Sequence, residues 1–110
     1  MLAKGRLLGL QFLALMEDDL YFKTGKKAVA QAMRIREALM AAGFTFQVDS
    51  PTNQIFPIFT DAQWEKLEAL GFKLEFNGRL DEAHVVLSVC TSWCTPDEYV
   101  AKFIDALTEL

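Results

Sequence analysis

Four short segments in which apolar and polar residues alternate occur as two adjacent pairs, and this arrangement constrains the fold most. The first pair is Phe44 to Val48 and Gln54 to Phe59, joined by a turn-like stretch at 49–53. The second pair is Phe72 to Phe76 and His84 to Cys90. Neighbouring strands with short connections favour antiparallel pairing, because a parallel pair needs a long crossover. The pattern therefore predicts an antiparallel sheet of three to four strands.

Two residue types refine this prediction. Asn77 and Gly78 have the composition of a tight turn and are expected to connect the third and fourth strands. Pro57 lacks the N–H that a central strand would donate, so its strand is expected at an edge or with a bulge.

Helical signals surround these segments. Apolar residues from Leu7 to Met16 cover most sides of one predicted helix, which would need cover on more than one face. Asp18 or Asp19 is expected to cap a second helix, which ends at Gly43 and carries one apolar face of Ala28, Ala32, Ile35 and Leu39.

Two capping-box patterns mark two later helices. Thr60 and Gln63 open a helix that ends at Gly71, and Thr95 and Glu98 open the last helix. The last helix would face the sheet through Val100, Phe103, Ile104 and Leu107. The predicted fold is α+β, with helices on one face of the sheet and two longer helices in front, in a single domain over residues 1–110.

Charge and cysteine content exclude several classes of function. The net charge is −4, and the basic residues between Lys23 and Arg36 fit a solvated helix face, which argues against nucleic acid as a partner. The apolar run at 7–16 is too short to span a membrane and resembles no signal peptide, so a cytoplasmic protein is expected. Cys90, Cys94 and the single His84 lack the number and spacing of metal ligands.

Three segments carry a resemblance to a known family: Lys4 to Phe12, Asp49 to Gln54, and Thr91-Ser92-Trp93. In order and separation they resemble the C-terminal part of the threonine aldolase and aromatic amino acid β-eliminating lyase family. The resemblance implies a small C-terminal domain of a fold-type I enzyme that uses pyridoxal phosphate, the cofactor that stabilises a carbanion at the substrate Cα. It also implies an amino-acid substrate, a preceding large cofactor-binding domain and a homo-oligomer.

The resemblance assigns roles to three residues. Arg6 matches an arginine expected near the cofactor phosphate across a dimer interface, and Lys4 beside it is a further cofactor-binding candidate. Ser88 stands where the family pattern has an arginine that holds the substrate carboxylate, and one neutral hydroxyl would bind a carboxylate more weakly. No lysine of the chain matches the context of the Schiff-base lysine, so no catalytic residue is assigned.

Two functions from different classes remain open at the level of the sequence. The first is the C-terminal portion of a pyridoxal-phosphate-dependent lyase that is not catalytic alone. The second is a free-standing α+β module that binds a small molecule or another chain, with the very apolar first helix as its interface.

Overall fold

The structure is a computed structural model that describes residues 5–110. Helix α1 (Gly5–Met16) leads through a single 3-10 turn (Glu17–Asp19) into the long helix α2 (Leu20–Ala41). The rest of the chain forms β1 (Gln54–Ile55), β2 (Ile58–Thr60), α3 (Asp61–Ala69), β3 (Glu75–Arg79), β4 (His84–Cys90) and α4 (Asp97–Leu107). The α+β class and the two leading helices predicted from the sequence are confirmed.

The sheet is antiparallel and has β4 at its centre. β1 and β2 pair with one side of β4, and β3 pairs with the other side. Ile55 lies opposite Val89 and Ile58 lies opposite Val86, so β1 and β2 continue along β4 in one register. They are two halves of one strand.

Pro57 explains the interruption between these halves. Leu87 donates its N–H to the Pro57 carbonyl at 3.1 Å, but the proline has no N–H to donate in return. On its other side Pro57 faces Phe46 in an isolated bridge, so the predicted first strand is reduced to this bridge. Pro57 therefore lies between two neighbours rather than at an edge.

The core lies between the sheet and helices α2, α3 and α4. The apolar face predicted for α2 is buried, and α4 buries Val100, Phe103 and Leu107, with Ile104 partly buried against them. Alternate residues of β4 supply the opposite wall, namely Val85, Leu87 and Val89. Burial of these branched side chains is the main stabilising contribution of the fold.

Local sequence signals set several helix ends as predicted. Gly43 has a φ of 89°, and Phe44 N–H binds the Leu39 carbonyl across it, which is the Schellman arrangement. At the start of α3, Thr60 accepts from the Gln63 N–H while the Gln63 side chain accepts from the Thr60 N–H. The capping box predicted there is confirmed.

Two predicted caps make no side-chain hydrogen bond to their helix. Asp19 occupies the N-cap position of α2 as predicted, but its backbone is in the left-handed region, with a φ of 59°, and its side chain makes no capping hydrogen bond. Thr95 does not cap α4, because its hydroxyl accepts the Ser92 N–H at 2.9 Å and is engaged in the preceding turn. The helix begins one residue later, with Pro96 at the N-cap.

The turn predicted at Asn77 and Gly78 is also wrong. Both residues lie inside β3, where the register shifts between Phe76 and Gly78 and leaves Asn77 as an extra residue in a bulge. The chain reverses further on, where the Asp81 carboxylate accepts the N–H groups of Ala83 and His84 at 2.8 and 2.9 Å. This side chain fixes the turn at a later position.

Helix α1 stands apart from the core. It contacts chiefly the 3-10 turn and α2, and every residue from Arg6 to Met16 is exposed, including Leu7 at 58% and Phe12 at 63%. The described residues extend 52 Å along one axis and about half of that across it. No helix within residues 5–110 is long and apolar enough to cross a membrane.

Candidate functional site

Ser88 lies near the end of the central strand β4 and is 5% exposed. Its neighbours Leu87 and Val89 face the helices, so its own side chain points to the opposite face of the sheet. The side-chain amide of Gln54 donates to the Ser88 hydroxyl at 2.8 Å. The position that the resemblance assigns to the substrate carboxylate thus carries a neutral pair of hydrogen-bonding groups.

The charged group placed beside this pair is an acid. Glu75 on β3 lies opposite Ser88 in the register, and it is exposed. No arginine or lysine among residues 5–110 forms a hydrogen bond with Ser88 or Gln54. A substrate carboxylate would gain hydrogen bonds here but no charge neutralisation from the described side chains.

Asn53 joins two of the segments that carry the family resemblance. Its side-chain amide donates to the Thr91 carbonyl at 2.7 Å, and Thr91 returns its N–H to the Asn53 carbonyl at 3.0 Å. The side chains of Asn53 and Gln54 therefore both reach β4 or its end. Ser50 and Thr52 satisfy the turn instead.

The Thr91-Ser92-Trp93 segment is anchored to α2. The Thr91 hydroxyl is buried and donates to the Ala28 carbonyl, and Lys27 donates to the Trp93 carbonyl at 3.2 Å. The Trp93 ring remains 66% exposed. These contacts favour the structural interpretation of the segment, as a strand end that turns towards α4.

Gln31 extends this anchor and was missed by the sequence interpretation. It is 4% exposed, and its amide donates to the Thr95 carbonyl and to the Asp97 carboxylate, both at 2.8 Å. Its own carbonyl oxygen has no hydrogen-bond partner among the described residues. The one sequence signal for Gln31 is its place beside the apolar stripe of α2.

Arg6 and Ser88 occupy separate parts of the chain. Arg6 is exposed in the first turn of α1, and it forms no ion pair with any residue in the range 5–110. No hydrogen bond within that range connects it to Ser88. Lys4, the other cofactor-binding candidate, lies outside the described residues. Arg6 is thus available to a group that approaches α1 from outside.

The other polar side chains that the sequence offered as metal ligands lie apart from Ser88 in hydrogen bonding within residues 5–110. Cys90 and Cys94 are free and exposed. The His84 ring contacts the Asp81 carboxylate at 2.9 Å at the surface. Within residues 5–110, no three His, Cys, Asp or Glu side chains converge on a metal site.

Solved structures of other proteins superimpose on this fold. Threonine aldolase from Leishmania major superimposes with a TM-score of 0.90 and 30% sequence identity, covering 96% of this chain. Serine palmitoyltransferase from Sphingomonas wittichii superimposes with a TM-score of 0.63 and 17% identity over 77% of this chain, which supports the fold alone. The chain spans only 30% and 24% of the lengths of these two proteins. No protein-family model and no curated protein matches it. The resemblance to threonine aldolase predicted from the sequence is confirmed.

Proposed function

We propose that this chain, which shares its fold with part of threonine aldolase, is the small C-terminal domain of a pyridoxal-phosphate-dependent amino-acid lyase and is not catalytic alone. The observation that carries the proposal is that a match over 96% of this chain covers only 30% of the threonine aldolase. A domain of this size would complete an active site built mainly by another part of the enzyme.

The exposed apolar surface of α1 supports the proposal that this helix packs against another part of the enzyme. Leu7, Leu10, Phe12, Leu13 and Met16 are each more than half exposed, on a helix that contacts little else. Contiguous apolar surface of this kind marks an interaction site. In the proposed enzyme this surface packs against the large cofactor-binding domain, within a cytoplasmic homo-oligomer.

The residues of this chain fit a limited role towards the cofactor. All described lysines are exposed, whereas a Schiff-base lysine is typically desolvated so that its amine is neutral. Arg6 fits a phosphate contact, because a guanidinium that pairs with no residue in the range 5–110 can donate to two phosphate oxygens at once. When bound, pyridoxal phosphate supplies an electron sink for the electron pair of a breaking bond at Cα. The large domain would hold the reactive lysine.

Arg6 would then bind and orient the phosphate from its place at the start of α1. Lys4, two residues earlier, is proposed to add a second positive charge. Ser88 and Gln54 would offer neutral hydrogen bonds to the amino-acid substrate. The choice between aldol cleavage and β-elimination is left to residues of the large domain.

The test uses the longer enzyme that contains this domain. Arg6→Gln should weaken the binding of pyridoxal phosphate about ten-fold or more, since a hydrogen bond between charged groups contributes about 1.5–3 kcal/mol. Arg34→Gln is the matched control, because Arg34 is an exposed arginine on α2. Cofactor absorbance during dialysis measures the affinity. Equal retention by both variants would remove Arg6 from the cofactor site.

A second measurement separates this proposal from the free-standing module. The 110-residue chain alone, mixed with pyridoxal phosphate and reduced with borohydride, should yield no adduct at a single defined lysine. Mass spectrometry of peptides reports the site. An adduct at one lysine, in a chain that binds amino acids by itself, would contradict the domain proposal and support the independent module.

A further inference from the structure

A cleft of about 450 Å³ opens on the helix side of the sheet. It lies between α4, the end of β4 and the segment that follows α3. Neither Arg6 nor Ser88 lines it. Its volume is within the range of pockets that hold small organic molecules.

The floor of the cleft is apolar and partly aromatic. The rings of Phe72 and Phe103 meet edge to face, with centroids 5.3 Å apart. Val89, Val100 and Ile35, each less than 10% exposed, complete the floor. Such a surface favours an aryl group, which can pack on the aromatic edges and displace water.

The polar groups of the cleft differ in what they can still bind. The Thr91 hydroxyl already donates to Ala28, and the Thr95 hydroxyl already accepts from Ser92. At the mouth, Tyr99 and Lys102 are exposed and form no hydrogen bond with a described residue through their side-chain heads. These two groups, both on α4, remain available to a ligand.

The Lys102 ammonium at the mouth of the cleft favours a negatively charged ligand. Its Nζ lies 5.6 Å from the centroid of the Tyr99 ring, and both residues line the cleft. Glu98 and Asp105 are one turn away on the same helix, yet neither forms an ion pair with Lys102. Asp105 lines an adjoining depression of about 270 Å³ and not the cleft.

We propose that this cleft binds a small aryl carboxylate, with its ring on Val89, Val100 and Phe103 and its carboxylate at Lys102 and Tyr99. The inference does not depend on the proposed function, because it rests only on the cleft and its rim. It adds a ligand site of stated chemistry to this domain.

The test compares 3-phenylpropionate with 3-phenylpropionamide, which has the same shape and no charge. Both should bind the 110-residue chain, and shifted backbone amide signals in NMR spectra should map to residues 89–103. The acid should bind about two- to five-fold more tightly, as expected for an exposed ion pair. That preference should fade at high salt, because surface charges are then screened.

Lys102→Gln should abolish the preference for the acid and leave the amide affinity unchanged. Lys26→Gln, at an exposed lysine on α2, is the control and should leave both affinities unchanged. Equal affinities for acid and amide in the unchanged chain would overturn the proposal. Signal shifts confined to the apolar surface of α1 would overturn it as well.

Discussion

The side-chain amide of Gln54 lies 2.8 Å from the hydroxyl of Ser88, although 34 residues separate them in the chain. The bond joins β1 to the central strand on the face of the sheet that points away from the helices. It links the turn segment at 49–54 to the strand whose end carries Thr91-Ser92-Trp93. Two of the three segments that resemble threonine aldolase therefore meet around it.

This bond should be visible in a double-mutant cycle. Gln54→Leu leaves the buried Ser88 hydroxyl without its partner and should cost about 1–2 kcal/mol. Adding Ser88→Ala removes that orphaned hydroxyl, so the double variant should be less destabilised than the sum of the single changes. Urea unfolding measures each free energy. Gln47→Leu, at an exposed glutamine of the neighbouring segment, is the control, and strict additivity would show that the pair contributes nothing.

Restoring charge at position 88 should change substrate binding in the longer enzyme. Ser88→Arg should tighten binding of an amino acid about ten-fold or more, because a guanidinium forms a charged fork with a carboxylate. Cys90→Arg places the same charge two residues further along the same face and is the matched control. Titration of the cofactor absorbance with amino acid gives the affinity. An unchanged affinity in Ser88→Arg would separate position 88 from the substrate carboxylate.

A negative charge at the buried position of Gln31 should destabilise the fold. Gln31→Glu replaces the amide donor with a carboxylate that faces the Thr95 carbonyl and the Asp97 carboxylate, so at neutral pH it should cost about 3 kcal/mol or more. The cost should shrink as the pH falls, because the introduced carboxyl, once protonated, can again donate to one of these oxygens. Thermal unfolding at neutral and acidic pH measures this. Gln11→Glu, on exposed α1, should change little at either pH.

The turn between β3 and β4 should contribute to the acid sensitivity of the fold. Hydrogen bonds from the Ala83 N–H and from His84 hold the pKa of Asp81 below its ordinary value of 3.8, and the Arg79 guanidinium lowers the pKa of Asp61 in the same way. A carboxyl with a lowered folded-state pKa stabilises the fold above the ordinary value, and that stabilisation is lost as the pH falls through the folded-state pKa.

Asp81→Asn keeps an oxygen acceptor for the turn but cannot titrate. The variant should therefore lose less thermal stability than the unchanged chain when the pH falls below about 4. Glu82→Gln is the control, because the Glu82 carboxylate accepts no hydrogen bond from a described residue. A steeper acid loss in Asp81→Asn than in the control would contradict this role of the turn.

Some features were predictable because their causes lie within a few residues. Gly43 ends α2 since its neighbours cannot easily adopt a φ of 89°, and the Thr60 cap needs only Gln63 three residues later. The same local reasoning fails where a side chain has a rival partner. The Thr95 hydroxyl accepts a hydrogen bond in the turn before α4 rather than capping that helix. The turn between β3 and β4, predicted at Asn77 and Gly78, is instead fixed by Asp81.

The sequence by itself determined the α+β class, the order of the helices, the buried faces of α2 and α4, and the family resemblance, because periodicity and glycine or capping signals act over short distances. Only the tertiary structure decided that Gln54 binds Ser88, that Gln31 holds the start of α4, and that α1 leaves its apolar surface exposed. Each of these depends on which elements lie next to one another. Hydrogen bonds and burial between distant residues produce no periodic pattern in the sequence.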